Sequence, residues 1–409
     1  MSRPADHRAM DSYDIVVVGA RIAGAATAML LARQGKRVLM LDRDRYGADT
    51  LSTHALMRGG VFLLSRWGLL DRIVDSGTPP IQKTFFGYQN ASSTIAIKPT
   101  HGVQALYAPR RTVLDPLLVH AATAAGAEVR FGVSVVGLLR DGSGRVVGVR
   151  ARDRDGATVD VRARLTVGAD GIRSTVAREA GAGTLRVGEG GGAVIYGYWS
   201  DLPIDGYEWY YRPGHTAGMI PTNGGEVCVF AGVADHRRAG GQRGDVAEAY
   251  HRLLTAAIGG VDGRLAAARP PVRLRTWVSR PGFVRQVYGP GWVLVGDAGS
   301  FLDPLSTHGI TDALRDADTL ARSLSQCGGD TDAGLDGYAR DRDRAIAPIF
   351  DAVERIAGYR WDANEIKGRL VGLSSAMSAE MELIVANYPA ASVDSARATS
   401  RFAPNLVND

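Results

Sequence analysis

An α/β protein is the fold the sequence predicts: a nucleotide-binding unit split around a β-sheet insertion, with helices at the C-terminal end. Three observations predict it. A β-branched run, Ile15 to Val18, opens onto closely spaced glycines and a helical stretch, as a buried parallel strand feeding a helix would. Residues 193–233 alternate aromatic and small residues between turns such as Asp205-Gly206 and Asn223-Gly224-Gly225, the texture of antiparallel sheet. Trp292 to Val295 then returns to a buried strand, leading through a turn into a long helix.

Taken in order, residues 1–12 are polar and expected to form a loose tail. A helix from Ala23 to Gln34 closes on Gly35, and Arg37 to Leu41 forms a second strand ending at Asp42, which completes a βαβ unit. Thr112 to Ala125 reads as an amphipathic helix and Val129 to Leu139 as one strand. The turn Asp141-Gly142-Ser143-Gly144 suggests a hairpin into Val146–Val149, and another strand ends at Val167. A helix follows from Gly309 to Ser325, and 332–387 is helical in pattern. The expected units are 13–184 and 287–330 for the discontinuous nucleotide-binding part, with strands near 80–108 open to either unit. A β-rich part spans 185–286 and a helical region 331–409.

Composition narrows the class. The chain has 409 residues, 45% hydrophobic and 22% charged, ordinary for a soluble globular protein. A net charge of +5 without a dense Lys/Arg block argues against a nucleic-acid surface. The two cysteines, Cys228 and Cys327, offer neither a metal-binding spacing nor a disulfide framework. No apolar run approaches ~20 residues and no secretory core is seen, so a cytoplasmic protein without membrane insertion is expected. The sequence leaves the oligomeric state open.

Three motifs carry chemistry. In Gly19-Ala20-Arg21-Ile22-Ala23-Gly24, set between a strand and a helix, Gly19 permits a tight turn and Gly24 close helix–strand packing. The helix N-terminus offers N–H groups to a pyrophosphate. Asp42, followed by Arg43, ends the next strand where a carboxylate can accept ribose hydroxyls. This is the fingerprint of a Rossmann-type dinucleotide site, with Arg21 in place of the middle glycine. Arginine there either contacts phosphate itself or shifts the pyrophosphate. The second motif, Gly168-Ala169-Asp170-Gly171, lets backbone pass near a ligand while Asp170 braces the turn or a phosphate-linked water. The third runs Gly296-Asp297-Ala298-Gly299 to Asp303-Pro304-Leu305-Ser306-Thr307-His308-Gly309-Ile310. Asp297 can accept a ribose or ribityl hydroxyl, and the Gly309 and Ile310 amides can stabilise negative charge.

The order of these motifs, with Arg111-x-x-Leu114-Asp115 between the first two, resembles the FAD-dependent monooxygenases of the para-hydroxybenzoate hydroxylase fold. It is also similar to geranylgeranyl-reductase-like flavoproteins of the same fold. The resemblance covers roughly residues 13–330. It implies a Rossmann-type FAD-binding domain, FAD as cofactor and NAD(P)H as a transient reductant. It further implies Arg111 on the flavin side, Val135 reaching the adenine side through its backbone, and Pro304 in the flavin-facing loop. The usual Gly-Gln-Gly is here Thr307-His308-Gly309, which sets a histidine beside the flavin edge. His54 falls where the chain returns past the isoalloxazine: it bonds the ring, carries a covalent link, or serves as a structural loop residue. Tyr207, Trp209 and Tyr211 share one strand face. With Tyr196, Tyr198 and His215 they form either ordinary sheet packing or a pocket for a flat, apolar substrate.

The leading reading is a monooxygenase that uses NAD(P)H and O2 on an aromatic or polyketide-like small molecule. The alternative is a flavin reductase or dehydrogenase acting on carbon–carbon double bonds, which Asp303-Pro304-Leu305 resembles equally. A flavin halogenase is a third reading, but Lys83 lacks the expected flanking pattern and no Trp-x-Trp-x-Ile-Pro segment is present. A non-catalytic FAD-binding protein is a fourth. The motifs name no individual catalytic residue and no metal ligand.

Overall fold

The computed structural model describes residues 12–234 and 245–388, so the tail expected over 1–12 lies outside them except Ser12. Strand β1 (Ser12–Val18), helix α1 (Ile22–Arg33) and β2 (Val38–Asp42) form the expected βαβ unit. After α2 (Arg58–Arg66), α3 (Leu70–Asp75), β3 (Lys83–Gly87) and β4 (Ser92–Ala96), α4 (Arg111–Ala124) leads to β5 (Glu128–Phe131). The strands β6 (Ser134–Arg140), β7 (Val146–Arg152) and β8 (Thr158–Gly168) follow.

The single strand expected over 129–139 is two strands. Gly132 adopts φ +75°, a left-handed turn that ends β5. The next residue, Val133, donates its N–H to the Asp42 carbonyl at 2.9 Å, which starts β6 in a new direction. The β6–β7 hairpin forms as expected, with the Asp141 carboxylate accepting from the Ser143 and Arg145 amides.

Beyond α5 (Thr175–Ala180) and β9 (Thr184–Val187) lie β10 (Ala193–Ser200), β11 (Tyr207–Arg212), β12 (His215–Pro221) and β13 (Glu226–Val233). Helices α6 (Val246–Ile258) and α7 (Val261–Leu265) precede the short strands β14 (Arg275–Val278), β15 (Phe283–Arg285), β16 (Tyr288–Gly289), β17 (Trp292–Leu294) and β18 (Ser300–Phe301). Three long helices close the described chain: α8 (Gly309–Gln326), α9 (Thr331–Ala357) and α10 (Glu365–Val385).

Strands β17, β8, β1, β2 and β5 lie side by side in that order and run parallel. The order reverses direction at β1, with β2 on one side and β8 on the other. Loops leaving the carboxyl ends of such neighbours diverge and leave a crevice, the usual ligand site of an open α/β sheet. Val18, Gly168 and Leu294 end abreast, so all three glycine-bearing motifs open at that crevice.

A second, seven-stranded sheet has the order β14-β10-β13-β12-β11-β3-β4 and is antiparallel except where β3 meets β11. The strands near 80–108 therefore join this sheet. Its two faces differ, as period-2 alternation demands. Tyr196, Tyr207, Trp209, Tyr211 and Phe230 belong to the same core as the nucleotide-binding sheet. Tyr210, Met219 and Val229 pack on the other face against Leu253 and Leu254 of α6.

The helical pattern over 332–387 breaks at 358–364. Tyr359 adopts φ +52°, and the Asp362 carboxylate accepts from the Asn364 and Glu365 amides to start α10. No helix among the described residues is long and apolar enough to cross a membrane.

Candidate active site

At the carboxyl end of β1, Gly19 takes φ +102°, and a Cβ there would lie 2.4 Å from the Ala169 carbonyl oxygen. The first motif therefore packs directly on the second. A Cβ on Gly24 would lie 1.8 Å from the Gly19 carbonyl oxygen, so both glycines are required for backbone to pass backbone. Asp42, buried at the end of β2, accepts the Ala20 N–H at 2.6 Å on one oxygen and the Asp44 N–H at 2.8 Å on the other. Arg21 bonds Asp44 at 3.0 Å and approaches Asp115 at 3.8 Å. The nitrogen facing Asp115, Nη1, is buried and makes that ion pair without a hydrogen bond. Ala20, Arg21, Asp42, Tyr46, Asp115 and Phe131 line a cavity of about 300 Å³ here. Val135 lies on β6 two residues past Val133, beside the same end, while Arg43 is exposed.

Arg111 opens α4 and clamps Asp115 through two bonds, at 2.7 and 2.9 Å. Asp170 does brace its turn: it accepts from Ser174 Oγ at 2.5 Å and the Thr175 N–H at 2.6 Å, capping α5. In the third motif the Gly296 N–H donates to Asp316 of α8 at 2.9 Å, which fixes the strand-to-helix turn. Ala23 of α1 faces it, since a Cβ on Gly296 would lie 2.9 Å from the Ala23 methyl. Burial and the Asp312 carboxylate push Asp297 up to about 7, against the pull of Arg111. Its carboxyl is thus poised to donate or accept near neutral pH.

Gly309 is exposed, with open space where a Cβ would stand, and no side chain caps the first turn of the helix it opens, α8. His308 turns the other way. Its Nε2 meets Glu380 of α10 at 2.5 Å, and both side chains are buried. Arg315 completes this cluster by binding Asp312 at 2.5 Å, Asp316 at 2.8 Å and Glu380. His308, Asp312 and Glu380 present ligand-type atoms close together, but the Arg315 guanidinium bonds both carboxylates. Electrostatically the group is an ion-pair cluster.

On the opposite side of the crevice His54 is buried at φ +69°. Its Nε2 bonds the Tyr198 hydroxyl, and its Nδ1 is buried without a partner. Burial, reinforced by Arg110, Arg111 and Arg275, holds the imidazole well below its usual range, so it is neutral at pH 7. The Arg110 guanidinium stacks 3.6 Å above the Tyr198 ring.

Next to His54, a small cleft opens between the 303–305 loop and the aromatic sheet. Pro304, Leu305, Val194, Phe230 and Tyr359 supply its apolar walls, and Thr53, Thr216 and Asp303 its polar points. Three of the aromatic residues singled out in the sequence stand behind this wall. Trp209 packs on Phe230 at 6.0 Å between ring centres. Tyr211 packs on Trp361, which stacks on Tyr359. Tyr198 is held by His54. His215 ends its hairpin with Nδ1 near the Pro213 carbonyl, one residue before the pocket's Thr216.

Tyr359, Arg110 and Glu380 are the residues that motif reading missed, and none carries a local sequence signal; Asp303 stands in the third motif without an assigned role.

A Rossmann-type crevice, an acid at the second strand and an open helix N-terminus define the class of FAD-binding oxidoreductases. The chain belongs to the FAD binding domain family, whose model matches residues 12–353. It is 32% identical over 335 residues to a menaquinone reductase of Mycolicibacterium smegmatis, covering 78% of each chain. It is 31% identical over 170 residues to a rifampicin monooxygenase of Streptomyces venezuelae, covering 40% of this chain and 33% of that one. Among solved structures, a flavin-dependent brominase superposes with a TM-score of 0.77 at 18% identity, covering 91% of this chain and 93% of its own. At that identity the likeness speaks for the fold.

The residues present fit FAD. Arg21 and His54 each keep a buried polar nitrogen without a hydrogen bond, Gly19 and Gly24 let the first two motifs close on each other at the crevice, and open space stands at Gly309. Asp42 is the residue most exposed to test. Asp42→Ala removes the carboxylate that anchors the Ala20 and Asp44 amides at the crevice, so FAD affinity is expected to fall by roughly 1.5–3 kcal/mol per charge-assisted bond lost. Fluorescence titration of the stripped protein with FAD measures this. Affinity equal to wild type would place the adenosine elsewhere.

Proposed function

We propose that the protein is a FAD-dependent monooxygenase that takes NAD(P)H as transient reductant and inserts one oxygen atom from O2 into a flat, apolar molecule, aromatic or polyketide-like. The observation that carries this reading is the pocket between Pro304–Leu305 and the aromatic sheet, walled by Val194, Phe230 and Tyr359. Its apolar walls suit a flat, apolar ligand and exclude water from an oxygenation site.

In this reading Gly19, Ala20, Ala23 and Gly24 cradle the pyrophosphate, with Arg21 and Arg43 at its margin. Asp42 receives the ribose and Val135 lies toward the adenine. Arg111, Asp297 and Pro304 border the flavin half, and Asp170 holds the loop over which the cofactor passes. Bound FAD supplies two-electron chemistry, accepting a hydride and activating O2. The Gly309 and Ile310 amides at the head of α8 offset negative charge that an apolar pocket would oppose. His54 is neutral, so it donates or accepts a single hydrogen bond through Nδ1, toward the ring edge. His308 acts from behind, by fixing the first turn of α8 to α10. The units 13–184 and 287–330 hold the cofactor and 185–286 covers the substrate.

A reductase acting on carbon–carbon double bonds is the second reading. It is favoured by the reductase match, which spans 78% of this chain where the monooxygenase match spans 40%. Oxygen uptake with NADPH across phenolic and polycyclic compounds separates the two. The monooxygenase reading expects uptake that one class of compound stimulates. NADPH oxidation that proceeds equally well without oxygen would favour the reductase.

A further inference from the structure

The pocket contains one charged group that the architecture does not explain. Asp303 is 7% exposed. One carboxylate oxygen accepts the Leu305 N–H at 3.0 Å and the other accepts from Ser279 Oγ at 2.6 Å. Neither partner carries positive charge. The charged group that acts on it, Glu354 of α9, is a like charge, and the other titratable neighbour is the Tyr359 phenol. Among the described residues no lysine, arginine or histidine pairs with it. Starting the 304–306 turn needs one neutral acceptor, which serine or asparagine would supply without burying a charge. An unpaired buried carboxylate is costly, and such groups persist at sites kept for a ligand.

The pocket's remaining polar atoms point to how that ligand is read. Across from Asp303, the Tyr359 hydroxyl and Thr216 Oγ1 bond each other at 2.9 Å and so satisfy one another. Phe230, Val194 and Leu305 present flat apolar surface between them. We propose that Asp303 is the specificity-determining carboxylate of this pocket, and that the substrate is a flat apolar molecule bearing a hydrogen-bond donor, an amine or a ring hydroxyl, which Asp303 receives. The proposal rests on the reading of this cavity as the substrate site. It predicts that a substrate's donor is anchored beside Pro304, which fixes which ring edge is presented to the cofactor.

Burial holds the Asp303 proton to higher pH than an ordinary carboxyl, against the Ser279 and Leu305 hydrogen bonds, with Glu354 adding to the rise. A carboxyl raised in the folded state binds its proton more readily there than in the unfolded chain. The fold therefore loses stability as pH rises from the ordinary value of 3.8 through the raised one.

Two measurements on the FAD-loaded protein test this, comparing wild type with Asp303→Asn, which keeps an acceptor for the turn. In the first, naphthalene, 2-naphthol and 2-naphthylmethylamine are titrated against the flavin absorbance band. Wild type is expected to bind a donor-bearing probe at least about tenfold more tightly than naphthalene, and Asp303→Asn to lose most of that ratio while naphthalene is unchanged. A preference for the amine assigns a cationic substrate, and one for naphthol a neutral one. In the second, thermal melting is followed from about pH 4 to about pH 8, where Asp303→Asn should gain on wild type as pH rises. Three probes that bind wild type alike, a ratio that survives in Asp303→Asn, or a variant that melts below wild type at about pH 8 would each overturn the proposal. Oxygen uptake stimulated by some substrate despite such a result would leave the monooxygenase reading standing. A preserved ratio in wild type without such uptake would remove that reading alone.

Discussion

Arg315→Leu is expected to cost the fold roughly 3–5 kcal/mol, the usual penalty for removing one partner of a buried charge cluster. Arg315 is 2% exposed and binds Asp312, Asp316 and Glu380. Without it, His308 is the cation left beside Asp312 and Glu380, and Asp316 keeps only the Gly296 N–H. Urea unfolding followed by far-UV circular dichroism measures the loss. A change under 1 kcal/mol, against that expectation, would mean the cluster is hydrated and not a buried ion network. The same cluster gives stability a pH signature. Burial alone would depress the His308 imidazole, but the Glu380 and Asp312 carboxylates outweigh it and raise it above 6.5. Its contribution is complete below that value and fades as pH rises through the raised one. Glu380 is drawn from 4.5 to about 2 by His308 and Arg315, despite burial. Its contribution is complete above 4.5 and fades as pH falls toward 2. Glu380→Gln is therefore expected to abolish the acid-side loss and shift the alkaline-side loss to lower pH.

Gly19→Ala should all but remove FAD binding while the rest of the protein folds. The φ of +102° alone costs alanine roughly 1–3 kcal/mol. The Cβ, 2.4 Å from the Ala169 carbonyl oxygen, must also push the second motif away from the first. Since both loops border the crevice, at least about a tenfold to hundredfold loss of affinity is expected, measured by FAD fluorescence quenching. Gly35→Ala is the control. Gly35 also has positive φ, +78°, but nothing lies within 4 Å of its Cβ position, and it is remote from the carboxyl end of the sheet. Equal loss in both variants would trace the effect to general strain and not to the cradle.

How much of this was legible follows from what each feature depends on. The βαβ unit, the β6–β7 hairpin and α8 rest on local patterns, periodic apolar residues between turn-forming glycines and aspartates, and all three form as expected. The break at Gly132 was missed because 129–139 reads as one β-rich run despite Gly132, and the Val133–Asp42 backbone bond decides where the strand turns. The break before α10 was missed for a related reason: Tyr359 at positive φ is not a breaker by composition. The alternation of Tyr207, Trp209 and Tyr211 gave their common face, but not that Phe230 and Tyr359 would stand between them and the cavity. The partners of His308 and His54 are 72 and 144 residues away, so no local signal could assign them. Arg21 was read as a phosphate ligand or a displacing group; its bond to Asp44 depends on the β2 loop and adds a third commitment.

Oxygen delivery to a molecule held between the 303–305 loop and the aromatic sheet is the proposed outcome of turnover. The most direct measurement is turnover under ¹⁸O2 with NADPH and a compound that stimulates oxygen uptake, followed by mass spectrometry of the product. The account predicts product heavier by one ¹⁸O atom per turnover, with label lost when Phe230 or Leu305 is replaced by a residue that fills the cavity. Unlabelled product carrying two additional hydrogens would contradict it and make the protein a reductase of carbon–carbon double bonds.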